Sequence, residues 1–153
     1  MPPSGRRARL PRVTLSLARI ERIAILFEAA AIAKVDWTHE THLVMGAWHV
    51  ARWGPGAALE RLRARIRALN DAHGTINSDT SGYHETITRA YIRLITAFLG
   101  ARPADEEIDA SVAALLASPL AARDALMRHY SKTVLFSVAA RRGWVEPDLT
   151  PLP

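Results

Sequence analysis

Apolar side chains recur at helical spacing along nearly the whole chain, and no useful length of apolar–polar alternation interrupts them. Leu17, Ile20, Ala24, Phe27 and Ala31 form one stripe, widened by Ile23 and Leu26, which predicts a mostly buried first helix. After a break at Lys34–Asp36, a second helix is expected from about Trp37, with Asp36 or Thr38 as N-cap, to Gly54–Pro55. Pro55 suits the first turn of a third helix, which carries Leu59, Leu62, Ile66 and Leu69 on one face and stops at Gly74. The polar run Thr75–Gly82 reads as a loop, and a fourth helix is expected from Tyr83 to Leu99. Asp105, Glu106 and Glu107 suit the first turn of a fifth helix, Ser118–Pro119 opens a sixth, and Ser131 or Ser137 opens one more that Gly143 closes. The tail from Trp144 to Pro153 is rich in proline and reads as extended. The expectation is one all-α domain, 13–153, of six or seven helices, preceded by a disordered Arg-rich arm over residues 1–12.

Composition narrows the function classes. The 153 residues are 49% hydrophobic and 23% charged, enough apolar material for one core. With no cysteine, thiol nucleophiles, disulfides and cysteine-ligated metals are excluded. No uncharged apolar run is long enough to span a membrane. Arg19, Glu21, Arg22 and Glu28 interrupt the only stretch that could serve as a secretory signal. The net charge of +5 owes most of its excess to Arg6, Arg7, Arg9 and Arg12, so the remainder is near neutral. Arg61, Arg63, Arg65 and Arg67 crowd the third helix without interleaved aromatics. That pattern reads as a solvated face, and no nucleic-acid partner is expected.

The six histidines carry the candidate chemistry. At about 100° per residue, His39, His42 and His49 fall within roughly 80° of one helix face, together with Gly46 and Trp53. Glycine inside a helix costs about 1 kcal/mol against alanine, so Gly46 points to close approach of a backbone or a ligand. His42 and His49 stand about 10.5 Å apart along the axis, and no HExxH is present, so no metal site is expected. His84, Thr88 and Tyr91 fall within roughly 60° on the fourth helix. Glu85, Arg89 and Arg93 lie opposite and read as a solvated ion-pair row. The loop before this helix offers Asn77, Asp79 and Ser81, with Gly82 permitting close approach and Thr80 or Ser81 as N-cap. In the first helical turn, His84 would feel the positive helix end, which favours its neutral form.

Several segments resemble an uncharacterised family of small bacterial helical proteins. They are WTHETHL (Trp37–Leu43), NDAHG (Asn70–Gly74), SGYHETITR (Ser81–Arg89), HYS (His129–Ser131) and GWVEPDL (Gly143–Leu149). The resemblance covers about residues 25–153 and excludes the Arg-rich start. It implies a bacterial cytoplasmic protein and carries no activity.

The leading expectation is therefore a small-molecule-binding helical domain, with an enzyme as its chemical form. His39, His42, Thr88, Asn77, Asp79 and Ser81 would bind the ligand, His84 would act as general acid/base and Tyr91 as hydrogen-bond donor. No cofactor can be named from these residues. The alternative is a non-enzymatic helical partner or homodimer, anchored by exposed Trp37, Trp53 and Trp144. A buried set of tryptophans beside a concave His/Tyr cleft favours the first reading, and a flat exposed aromatic patch the second.

Overall fold

The computed structural model describes residues 15–153, and the expectation of a disordered arm over residues 1–12 lies outside them. Among the described residues there are six α-helices and no strand: α1 (Leu17–Glu28), α2 (His39–Ala72), α3 (Glu85–Gly100), α4 (Ile108–Leu116), α5 (Lys132–Leu135) and α6 (Val138–Arg142). Short 3-10 turns lie at Lys34–Asp36, Pro119–Ala121 and Ala125–Arg128.

The second and third expected helices join as α2, bent at Gly54. Gly54 has φ 76° and ψ 167°, a conformation in which a Cβ would be strained. Pro55 follows it with no N–H to lose. The bend lets residues 39–53 and 55–72 each lie against neighbours, and both arms contribute to one core through Leu43, Met45, Ala47, Leu62 and Leu69. Thr38 is the N-cap of α2, accepting from the Thr41 N–H at 3.2 Å.

Helix α3 crosses α2, and the crossing explains Gly46. A Cβ on Gly46 would stand 2.8 Å from Cδ1 of Ile95, closer than carbon atoms approach. Gly46 therefore leaves the Ile95 side chain room to pack directly against α2. The opposite flank of α3 packs Ala90 and Leu94 against Leu126, Tyr130, Leu135 and Leu152. The tail carries no helix and lies along α3: Leu152 is buried, and Arg93 donates to the Pro153 carbonyl at 3.1 Å.

Four local expectations are corrected. Helix α3 begins at Glu85, and its N-cap is His84 rather than Thr80 or Ser81. The acids 105–107 precede α4 instead of filling its first turn; Glu106 leaves the helix to pair with Arg102 and Ser111. Ser118–Pro119 opens only a 3-10 turn, while Ser131 and Ser137 both cap helices, α5 and α6. The Glu85/Arg89/Arg93 row is only partly solvated: Arg93 is exposed and Arg89 is half-buried. Glu85 is buried, and Arg89 and Arg93 lie over the Trp144 ring at 5.0 and 5.8 Å. Helix α3 packs against α2 on one flank and against the C-terminal segment on another, so solvent reaches its polar row mainly at Arg93.

Candidate functional site

The first arm of α2 and the facing side of α3 enclose a cavity of about 530 Å³. Its walls are mainly apolar, with Gly46, Leu62, Ile66, Ile87, Ile92 and Ile95 contributing. Polar groups enter from three elements: His39 and His42 from α2, Thr88 and Tyr91 from α3, and Arg123 from the segment between the two later 3-10 turns. Four of the expected ligand-contacting residues thus meet in one place. The reason is the helical period itself. His39, His42 and Gly46 sit at i, i+3 and i+7 on α2, and Thr88, Tyr91 and Ile95 repeat that spacing on α3.

His42 is the most informative of these groups. Its Nδ1 lies 2.7 Å from the Thr38 carbonyl oxygen, which can only accept, so Nδ1 carries the proton. In the neutral ring Nε2 is then a bare acceptor, with no hydrogen-bond partner among the described residues. The ring packs on Trp37, with centroids 3.8 Å apart, and Trp37 in turn stacks on Phe27. His42 lines the cavity and is exposed to solvent, although protein surrounds much of the ring. Burial dominates its titration and lowers its pKa to about 4; the Thr38 carbonyl opposes the shift and His39 adds slightly to it. At neutral pH His42 is an uncharged acceptor.

His39 sits edge-on to Tyr91, with centroids 5.7 Å apart. Its Nε2 is sealed from water and makes no well-formed hydrogen bond, although the carbonyls of Ala121 and Ala122 lie close by. Burial and then the Arg123 charge hold this ring below its ordinary pKa. Burial, helped by the Asp124 charge, pushes the Tyr91 phenol up to about 12, and its hydroxyl bonds to no described residue. Thr88 is less available, because its hydroxyl donates to the His84 carbonyl at 2.9 Å.

The other expected site residues are elsewhere. His84 does not line the cavity. The arc that placed it beside Thr88 assumed a helical residue, whereas the N-cap has extended backbone, φ −132° and ψ 108°. Its Nδ1 accepts from the Ile87 N–H at 3.2 Å, and its Nε2–H donates to the Leu135 carbonyl at 2.8 Å. One nitrogen caps α3 and the other ties it to α5, so the general acid/base role expected of His84 has no free atom to carry it. Its pKa is lowered as expected, but burial is the main cause, not the helix end.

The loop residues are likewise structural. The Asn77 amide oxygen accepts from Asn70 and from the Tyr83 N–H, both at 3.0 Å, and its amide nitrogen donates to Asp71. Gly82, at φ 77°, leaves no room for a Cβ beside Asn77. Asp79 forms a two-pronged pair with Arg142 at 2.6 Å. Ser81 contributes only its carbonyl, to the Ser78 N–H. These residues close the turn into α3 and are not among those lining the cavity.

His49, on the same predicted arc as His42, faces away from the cavity. It is fully buried, donates from Nδ1 to the Met45 carbonyl at 2.7 Å, and places Nε2 3.6 Å from Glu28 Oε1. Arg61 and Arg65 also reach Glu28, and Arg63 clamps buried Glu85 together with the Tyr83 hydroxyl. Three of the four arginines of the Arg61–Arg67 row are thus paired with acids, Arg63 with a buried one and Arg61 and Arg65 at a partly solvated one, while Arg67 lies over the Tyr83 ring. All four tryptophans are half-buried.

Three contributors escape the sequence reading. Leu62 and Ile66 were assigned only to a core stripe, and their second role as cavity wall depends on the bend at Gly54. Arg123 lies in an irregular stretch with no periodicity to mark it. Among the described residues no cluster of three or more His, Asp or Glu could hold a metal ion, and no helix is long and apolar enough to cross a membrane. No family model, no curated protein and no solved structure matches the chain.

Proposed function

We propose that this protein binds a small molecule in the cavity between α2 and α3. The observation that carries the reading is the convergence of His39, His42, Tyr91 and Arg123 on one largely aliphatic cavity of about 530 Å³. Ligand sites span roughly 300–1,000 Å³ and combine apolar walls with a few converging polar groups. Binding fits better than proton transfer. A base whose conjugate acid sits near 4 takes protons poorly at neutral pH, while as an uncharged acceptor it can hold a ligand O–H or N–H. An enzymatic form of this reading would put His42, rather than His84, at the reacting atom. The partner-protein alternative has less support, since the tryptophans it needs as anchors are half-buried against Phe27, His42, His49 and the arginines. We assign the protein to the cytoplasm, on the resemblance to small bacterial helical proteins.

The test uses an uncharged fluorescent probe, N-phenylnaphthylamine, titrated onto the full chain. Saturable binding of one probe per chain is expected, and Ile66→Trp, which fills the cavity, should abolish it while leaving the helical circular dichroism spectrum intact. Equal binding by the parent and by Ile66→Trp would show that the cavity is not the site.

A further inference from the structure

Charge and hydrogen-bonding capacity are unevenly distributed around the cavity. Arg123 is the only lining residue that is charged at neutral pH. It forms no ion pair or hydrogen bond among the described residues, and residues 1–14 contain no acid that could pair with it. The imidazoles of His39 and His42 stay neutral because burial disfavours their charged forms. The Tyr91 hydroxyl keeps its proton and has no partner, so it is free to donate. No carboxylate lines the wall; the nearest, Asp124, is close enough to influence Tyr91 but lies outside the lining and does not pair with Arg123. The rest of the lining is mainly aliphatic.

We propose that the ligand is an amphipathic monoanion, a small carboxylic acid. Its carboxylate is held by the Arg123 guanidinium and the Tyr91 hydroxyl, and its apolar body lies against Leu62, Ile66 and Ile92. The proposal rests on the cavity being a binding site and adds the class of compound it selects. A guanidinium matches a carboxylate through two parallel N–H donors. One cation and one free hydroxyl suffice for a single negative charge. A phosphate ester, with up to two charges and more acceptor oxygens, would be left undersatisfied in a wall otherwise made mainly of leucine and isoleucine. His42 Nε2 adds selectivity for acids that carry a hydroxyl or N–H on the body, because it can accept but not donate.

The experiment compares octanoate, octan-1-ol and octylammonium on the parent protein and on Arg123→Gln, followed by calorimetry and by the fluorescence of Trp37 and its neighbours. Arg123 is exposed, so its replacement leaves the fold in place. Octanoate is expected to bind one per chain, at least tenfold more tightly than octan-1-ol, with octylammonium weakest. Arg123→Gln should remove that tenfold preference and leave octan-1-ol unchanged. Octan-1-ol binding as tightly as octanoate, or an Arg123→Gln variant with undiminished octanoate affinity, would overturn the acid assignment while the cavity reading stands. The acid assignment also falls if N-phenylnaphthylamine binds and octanoate neither binds nor displaces it. Failure of all these probes, the dye included, removes the cavity reading and this one with it.

Discussion

The two ends of the α2/α3 contact carry similar residues and use them in opposite ways. At the start of α3, His84, Tyr83 and Glu85 form a closed corner. Both imidazole nitrogens bond to backbone, and the carboxylate takes two bonds from Arg63 and one from Tyr83. At the start of α2, His42 bonds through one nitrogen only, and the nearby Tyr91 hydroxyl bonds to no described residue. The first arrangement is what buried polar groups need for stability; the second leaves capacity unspent beside a cavity. Polar residues inside an apolar stripe do not by themselves mark a site. What distinguishes a site is the polar atoms left over once the fold has taken its share.

This contrast is open to measurement, beginning with the closed corner. Arg63→Met leaves the Glu85 carboxylate buried without its cation. Burial already pushes that carboxyl up, and Arg63 and Tyr83, with a smaller contribution from the Arg89 charge, hold it below its ordinary value. Breaking such a pair costs about 3 kcal/mol, at the low end because the guanidinium is partly solvated. Urea unfolding should show it, and adding Glu85→Gln should recover part of the loss. A change below about 1 kcal/mol would mean the corner is not the stabilising element described.

His84→Leu should cost about 2 kcal/mol, from the lost cap of α3 and the stranded Leu135 carbonyl. His84→Asn, which can still cap, should recover about half. Neither should alter binding of N-phenylnaphthylamine. A His84 variant that keeps its stability and loses the dye would reverse the assignment of the two regions.

A pH series draws both regions together. His39, His42, His49 and His84 all have pKa values lowered in the folded state, mainly by burial. Between the ordinary histidine value of 6.5 and the value of about 4 for His42, the unfolded chain therefore binds more protons than the folded one. Stability should be level with respect to these groups above pH 6.5 and fall as pH drops below it. The buried Glu85, whose pKa is lowered too, adds to the fall only below its ordinary 4.5. Urea midpoints measured across that range should decline, and less steeply in His42→Leu. A midpoint that rises on acidification would contradict the burial of these rings.

The smallest effect on stability is expected at the cavity. His42→Leu should change unfolding by less than about 1 kcal/mol, since it gives up one bond to a carbonyl at the end of a helix and retains apolar packing on Trp37. Its effect should appear instead with ligands that offer a hydroxyl or N–H. Binding of 3-hydroxyoctanoate should weaken severalfold while octanoate is unaffected. Equal losses for both acids would remove the acceptor role from Nε2.

The sequence alone determined the all-helical class, the break at Gly54–Pro55 and the facing of His39, His42, Thr88 and Tyr91, and it narrowed the caps to Asp36 or Thr38 and to Ser131 or Ser137. All of these follow from spacing within a few residues, and helical periodicity is a local property. Tertiary structure decided which polar atoms remain free. His84 spends a nitrogen on Leu135, fifty-one residues away; Glu85 meets Arg63 across twenty-two; Arg89 and Arg93 stand over the Trp144 ring. No periodicity encodes those partners, because they depend on how the helices dock. The same docking brings Arg123 and the second arm of α2 to the cavity, since burial and pairing are settled only when distant segments meet.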